Sequence, residues 1–357
     1  MHIAIPKETK PYEGRVALLP DACDSLIRRG HVVTVQSQAG EASGYSDAHY
    51  QRIGVEVAAD AAATYAAGEL IVKVKEPLPA EWALLRDDHR LFSFLHLAAA
   101  PDLVDALCRR GLTAWAFETV KAGEQFPLLA PMSRIAGVLA IHQGARWLQG
   151  VSGGRGVLLG RMPGVPRARV VVVGCGQAGL SAIGTAAALG ASVEAFDLQQ
   201  SALDAAATLG ANVTTLYPHG DALADAVAAA DLVVGAVLVP GRRAPAVITE
   251  AMVQRMRPGT VIVDISIDQG GCVETMEPRG YDDPAYLRHG VWHLGVANLP
   301  GAVPRTASQA LSAALLPYVA MLASSPLGDE PAELASALSI RGGKLVDERV
   351  RAERELA

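Results

Sequence analysis

The chain has 357 residues, of which 50% are hydrophobic and 19% charged, and its formal net charge is −6. This is a globular composition, too long for one ordinary core and suited to two, and it excludes a disordered chain. With 5% aromatic residues and no run of Lys and Arg, the chain offers neither phosphate tracking nor base stacking, which argues against nucleic acid as a partner.

The opening residues, Met1 to Glu8, read as a short apolar strand followed at once by charge. They lack the long apolar core of a signal peptide, so the expectation is a cytoplasmic protein. The cysteines at 23, 108, 175 and 272 lie far apart with no CxxC pair. Neither a zinc knuckle nor a disulfide framework is expected, and no metal site.

Apolar strands are expected at 3–6, 32–37, 70–74, 91–95 and 113–116, alternating with helical patterns, which implies a mostly parallel sheet. Three residues in this half have side chains suited to chemistry. Arg15 stands between Gly14 and an apolar run, where a guanidinium fork can grip a carboxylate with two hydrogen bonds; read singly, it is equally a surface or ion-paired arginine. In Val72-Lys73-Val74-Lys75-Glu76-Pro77 the alternation puts both lysines on one strand face, with Lys75 at the carboxyl end where open α/β sheets bind ligands; a solvated edge strand has the same pattern. His96 closes the strand Leu91 to Leu95 and is the best placed of the nine histidines for proton transfer near neutrality, although a hydrogen-bonded core histidine fits the same spot.

From Val170 to Val193 no residue is charged, a length that in principle spans a bilayer. The glycines at 174, 176, 179, 184 and 190 punctuate it instead as buried strand, turn and helix. Gly174-Cys175-Gly176-Gln177-Ala178-Gly179 follows four valines and opens a helical pattern, the context a GxGxxG needs before it signifies a dinucleotide. Gly174 permits the tight turn, Gly176 lets a pyrophosphate approach the backbone, and Gly179 lets the helix pack closely. Asp197 ends the next expected strand, 192–197, at the spacing of the acid that binds ribose hydroxyls and repels a 2'-phosphate, which favours NAD over NADP.

Further strands are expected at 232–237, 261–265 and 291–296, with helices at 201–209 and 221–230. Asp268 falls at or just past the carboxyl end of the 261–265 strand, either facing the cofactor crevice or capping its own turn, and Asn298 and Leu299 close the next strand similarly. After Pro304 a helix is expected over 308–323, then a polar, Pro-rich stretch and a charged tail. The expected fold is α/β, with two Rossmann-like doubly wound parallel-sheet domains and a cleft between them. A discontinuous substrate domain (1–130 plus 305–357) flanks an NAD-binding domain (131–304), and the two chain crossings serve as a hinge.

Taken together, the opening through Pro20, the segment 72–77, Phe94 to Ala99, Pro127 to Ser133, the GxGxxG, residues 235–241, 263–272 and 296–300 resemble the alanine dehydrogenase family, which includes the NAD-binding component of transhydrogenase, in order over residues 1 to about 320. The resemblance implies NAD-dependent interconversion of a small L-amino acid with its 2-oxo acid and ammonia. It implies that Arg15 and Lys75 hold substrate, that His96 and Asp268 carry the proton chemistry, and that Ser133, Gln177, Asp197, Val237, Leu238, Ile267, Asn298 and Leu299 line the NAD site. It also implies a hexamer. Two other readings share the pattern: a dehydrogenase of the same mechanism acting on another amino acid, and the NAD-binding component of a proton-translocating transhydrogenase. Three positions depart from the family's pattern. Arg134 stands where Glu is usual, Ala202 where Lys or Arg approaches the adenosine, and Glu277 where relatives are basic.

Overall fold

A computed structural model describes residues 1–238, 244–326 and 331–356. In chain order its strands are β1 (His2–Ile5), β2 (Val32–Gln36), β3 (Glu56–Ala58), β4 (Leu70–Val72), β5 (Arg90–Ser93), β6 (Thr113–Ala116), β7 (Arg169–Val173), β8 (Ser192–Phe196), β9 (Val213–Leu216), β10 (Leu232–Gly235), β11 (Val261–Asp264), β12 (Tyr286–Arg288), β13 (Val291–Leu294), β14 (Leu338–Arg341) and β15 (Lys344–Leu345). Two compact units result: Met1–Met132 with Gly301–Ala357, and Ser133–Val239 with Arg243–Pro300, so far as the described residues go.

In the first unit the sheet order is β15-β14-β6-β5-β4-β1-β2-β3, with β1 to β6 parallel. Counting from β3, the parallel part runs 3-2-1-4-5-6, the doubly wound order. The expected charged tail is more than a tail. Leu338 and Ile340 pair antiparallel with Trp115 and Ala114, extending the sheet past β6, and a helix follows at Glu348–Leu356. The helix Pro304–Ser324 is long and apolar enough to cross a membrane by length and composition alone. Here Ala307, Leu311, Leu315 and Val319 on it are buried, and Arg90 of β5 caps its end by donating to the carbonyls of Leu322 and Ser325.

In the second unit the order is β12-β13-β11-β10-β7-β8-β9, parallel except for the edge strand β12. This sheet too winds 3-2-1-4-5-6 from β9, so β7 lies at the switch point where successive connections diverge. Its core is Val170, Val172, Val193, Leu232, Val234, Val261 and Val263, fully or almost fully buried, as expected of parallel strands covered on both faces. The uncharged run from Val170 is thus β7, the helix Gln177–Leu189 and β8.

The α/β class with two parallel sheets agrees with the sequence reading, and the differences are local. Expected strands end one to two residues early where the chain leaves the ladder, as at Gly235 and Leu294. The strands β3, β9 and β12 were not foreseen, because at three or four partly exposed residues each they carry little apolar signal.

Candidate active site

In the first unit, Arg15 lies in the loop after β1, Lys75 just past β4 and His96 just past β5. These strands are parallel and adjacent in the order β5-β4-β1, so all three residues emerge at the carboxyl ends of neighbouring strands, about 5 Å apart per strand. The alternative of a solvated edge strand at 70–74 is ruled out, since β4 is hydrogen-bonded on both sides and fully buried. The expected placement of both lysines on one strand face also needs correction, because β4 ends at Val72. The two lysines share burial but differ in company. Lys73, 1% exposed, is bonded to both carboxylate oxygens of Glu81 at 2.9 Å and lies 3.6 Å from Glu8. Lys75 is only 6% exposed, yet its ammonium has no hydrogen-bond partner among the described residues. Its charge is felt by the neighbouring carboxylate of Glu76, but no acceptor among the described residues holds the ammonium, which leaves its donors for an anionic ligand.

Arg15 is buried at 2% exposure, and its Nε and Nη2 donate to the two oxygens of Glu13. Its Nη1 lies 3.1 Å from Met132 Sδ. The loop that carries it is pinned by serines: Ser308 and Ser312 Oγ accept from the amides of Val16 and Leu19, both at 2.9 Å, and Ser43 donates to the Gly14 carbonyl. The guanidinium is therefore fixed by packing and a fork-to-fork ion pair rather than being left to solvent.

His96 adopts φ 48°, a left-handed conformation that costs energy for a side chain of this size and clusters at functional positions. Glu118, buried after β6, holds it there by accepting from the amides of Leu95 and His96, the latter at 2.7 Å. The imidazole stacks on Phe94 with centroids 5.9 Å apart, and its ring nitrogens make no hydrogen bond among the described residues. They are available for proton transfer with a bound molecule.

In the second unit the GxGxxG follows β7 as expected. Gly174 has φ 98°, and a Cβ there would lie 2.5 Å from the Ala236 carbonyl oxygen; a Cβ on Gly179 would lie 1.8 Å from the Gly174 oxygen. Around Gly176 nothing lies within 4 Å of that position, so the backbone is open where a pyrophosphate would approach the helix amides. The residues present therefore fit a dinucleotide. Asp197, at the end of β8, accepts from the amide of Cys175 at 2.7 Å and of Gln199 at 2.9 Å, which places a carboxylate beside the turn. Gln177 accepts from Arg134 Nε at 2.8 Å, so the departure at 134 sets a cation at the fingerprint helix. Glu277 is ion-paired with Arg279 at 3.3 Å. Nothing in the structure accounts for Ala202.

Asp268 is exposed, in the short helix Ile265–Gln269 after β11. It does not cap its own turn; Asp264 does so, accepting from the Ser266 amide at 2.9 Å. Both Asp268 oxygens instead take the amide of Asn298, at 3.1 Å, tying the ends of neighbouring β11 and β13. Val237 accepts from Ser266 Oγ and Leu299 from the Tyr281 hydroxyl; Ile267 and Leu299 are buried, Leu238 is exposed, and Ser133 is partly buried in the helix Leu129–Trp147. Of the motif at 235–241, residues 239–241 lie outside the described residues.

The acids Glu8, Glu13 and Glu118, which fix Lys75, Arg15 and His96, were missed by the sequence reading. Their only advance signal was proximity, a glutamate two residues before Arg15 and one within the Lys7 to Lys10 run.

Models of the alanine dehydrogenase/PNT N-terminal and C-terminal domains match residues 4–136 and 140–348. The chain belongs to this family. Among curated family members, alanine dehydrogenase of Bacillus subtilis is 46% identical over 90% of this chain and 86% of its own length. A solved L-alanine dehydrogenase covers all of both chains with a TM-score of 0.93 and 46% identity. A transhydrogenase from Sinorhizobium meliloti follows at 0.83 and 28% identity, covering 98% of this chain and 99% of its own.

Proposed function

We propose that this chain is an NAD-dependent alanine dehydrogenase, which converts L-alanine, NAD and water to pyruvate, ammonium, NADH and a proton, and catalyses the reverse amination. The observation that carries the reading is full-length similarity to L-alanine dehydrogenase at 46% identity, against 28% for the transhydrogenase. The Lys75 ammonium, which makes no hydrogen bond among the described residues, supports a carboxylate substrate. NAD, when bound, accepts the hydride from the substrate Cα. Gly176 and the helix amides it opens would take its pyrophosphate, on the turn shaped by Gly174 and Gly179, and Asp197 its ribose hydroxyls, with Ser133, Gln177, Val237, Leu238, Ile267, Asn298 and Leu299 lining the rest. In this assignment residues 131–304 form the NAD-binding domain and 1–130 with 305–357 the substrate domain.

Lys75 and Arg15 take the substrate carboxylate and fix the orientation of the Cα hydrogen, which supplies much of the rate. Neutral His96 takes a proton from the substrate ammonium and passes it to solvent, which is the proton released overall, and the resulting amine loses hydride to become a cationic imine. His96 then takes a proton from the water that adds and returns it to the carbinolamine nitrogen; ammonia leaves and takes up the hydroxyl proton as ammonium, leaving pyruvate. Asp268 orients that water and stabilises the cationic imine. The proposal extends to a homohexamer in the cytoplasm.

The test is NAD reduction by the purified chain over a panel of L-amino acids, each compared with its 2-oxo acid plus ammonium. L-alanine is expected to give the highest kcat/KM. Preference for another amino acid would move the assignment to a related dehydrogenase, and no reduction with any of them would favour a hydride-transferring component.

A further inference from the structure

Past Val72 the segment carrying Lys75 keeps its bonds to the β5 side: Lys73 donates to the Phe92 carbonyl at 3.2 Å and Phe94 to the Val74 carbonyl at 3.1 Å. On the β1 side the place of the ladder is taken by a side chain. Glu8, 7% exposed, accepts from the Val74 amide at 2.6 Å and the Lys75 amide at 3.3 Å through one oxygen, while its other oxygen lies 3.6 Å from Lys73 Nζ. A second tie between the same two segments, Lys10 to Glu76 at 2.7 Å, closes the arrangement from outside.

Resting on the reading above, we propose that Glu8 is a positioning residue which, in its ionised form, holds Lys75 in place to receive the substrate carboxylate. The titratable groups facing Glu8 are Lys73 from the segment after β4, Glu13 from the β1 loop, Glu81 from the helix Pro79–Trp82 and Tyr65 from the helix Ala61–Ala67. The single ammonium of Lys73 is committed by two bonds to Glu81. Burial, only partly opposed by Lys73, therefore pushes the Glu8 carboxyl up to about 7, so it changes charge near neutrality. A carboxylate accepts two amides more strongly than a neutral carboxyl does.

The experiment compares wild type with Glu8→Gln, measuring KM and kcat for L-alanine and KM for NAD from about pH 6 to 9. In wild type the alanine KM falls as pH rises through about 7. Glu8→Gln is expected to raise the alanine KM at pH 8 about tenfold, flatten its pH dependence, change kcat less than about threefold and leave the NAD KM unaltered. In a Lys75→Gln background the same substitution is expected to add nothing, because Glu8 acts through Lys75. Should Glu8→Gln not fold, Glu8→Asp, which keeps the charge but shortens its reach, is expected to raise the alanine KM and retain the pH dependence. An unchanged alanine KM in either variant, or additive losses with Lys75→Gln, overturns the inference. A wild-type chain that never reduces NAD with L-alanine refutes the functional reading itself, whereas an active wild type with an indifferent Glu8→Gln refutes this inference alone.

Discussion

Lys73→Met tests whether the buried charges behind the lysine segment are held as described. The substitution keeps the aliphatic stem and removes the cation bonded twice to Glu81 at 2.9 Å and lying 3.6 Å from Glu8. Glu81 would keep the Tyr65 hydroxyl and the Leu78 amide, and Glu8 its two amides, but neither carboxylate would retain a cation in contact. Breaking a buried pair this way costs about 3–5 kcal/mol when the acids are ionised. Without the ammonium the folded-state pKa of Glu8 rises further above its unfolded value near ~4.3. Stability is then fully present below the unfolded pKa and lost as pH rises through the folded one, so the deficit relative to wild type is expected to be small near about pH 5 and to grow as pH rises past about 7. Wild type shows the same sign more weakly, because Glu8 already stands at about 7. Urea titrations with pulsed hydrogen exchange, read on peptides covering β4 and β5, would follow the first unit alone. The triple variant Lys73→Met, Glu8→Gln, Glu81→Gln should recover most of the loss. A deficit below about 1 kcal/mol at pH 8, or one independent of pH, would refute the reasoning.

Gly179→Ala places a Cβ 1.8 Å from the Gly174 oxygen, so the turn must move; a stability loss of about 1–3 kcal/mol and weaker NADH binding by fluorescence titration are expected. Asp197→Ser removes the charge that repels a 2'-phosphate, and the ratio of kcat/KM for NADP over NAD should rise, with no change counting against Asp197 at the ribose. His96→Ala should lower kcat about 10²–10⁴-fold with the fold intact by circular dichroism; near-normal turnover would remove His96 from the chemistry.

Contiguous residues carried much of this protein. Four valines, a GxGxxG and an aspartate at the next strand end specify β7, its turn and β8 without help from elsewhere, because each signal depends only on neighbours in sequence. The positions of Lys75 and His96 at strand ends were legible for the same reason.

What only the tertiary structure decided is the company each group keeps. Lys73 and Lys75 are alike in type and two residues apart, yet one is neutralised by Glu81 and the other has no hydrogen-bond partner. Likewise, Leu338 to Leu345 reads as part of a polar tail until it pairs with β6, more than two hundred residues earlier. Apolar periodicity says which face is buried, but burial in a shared interior sets which carboxylate meets which cation: Glu8 reaches the lysine segment only because β1 pairs with β4, and Glu81 only because the helix Pro79–Trp82 folds back on it.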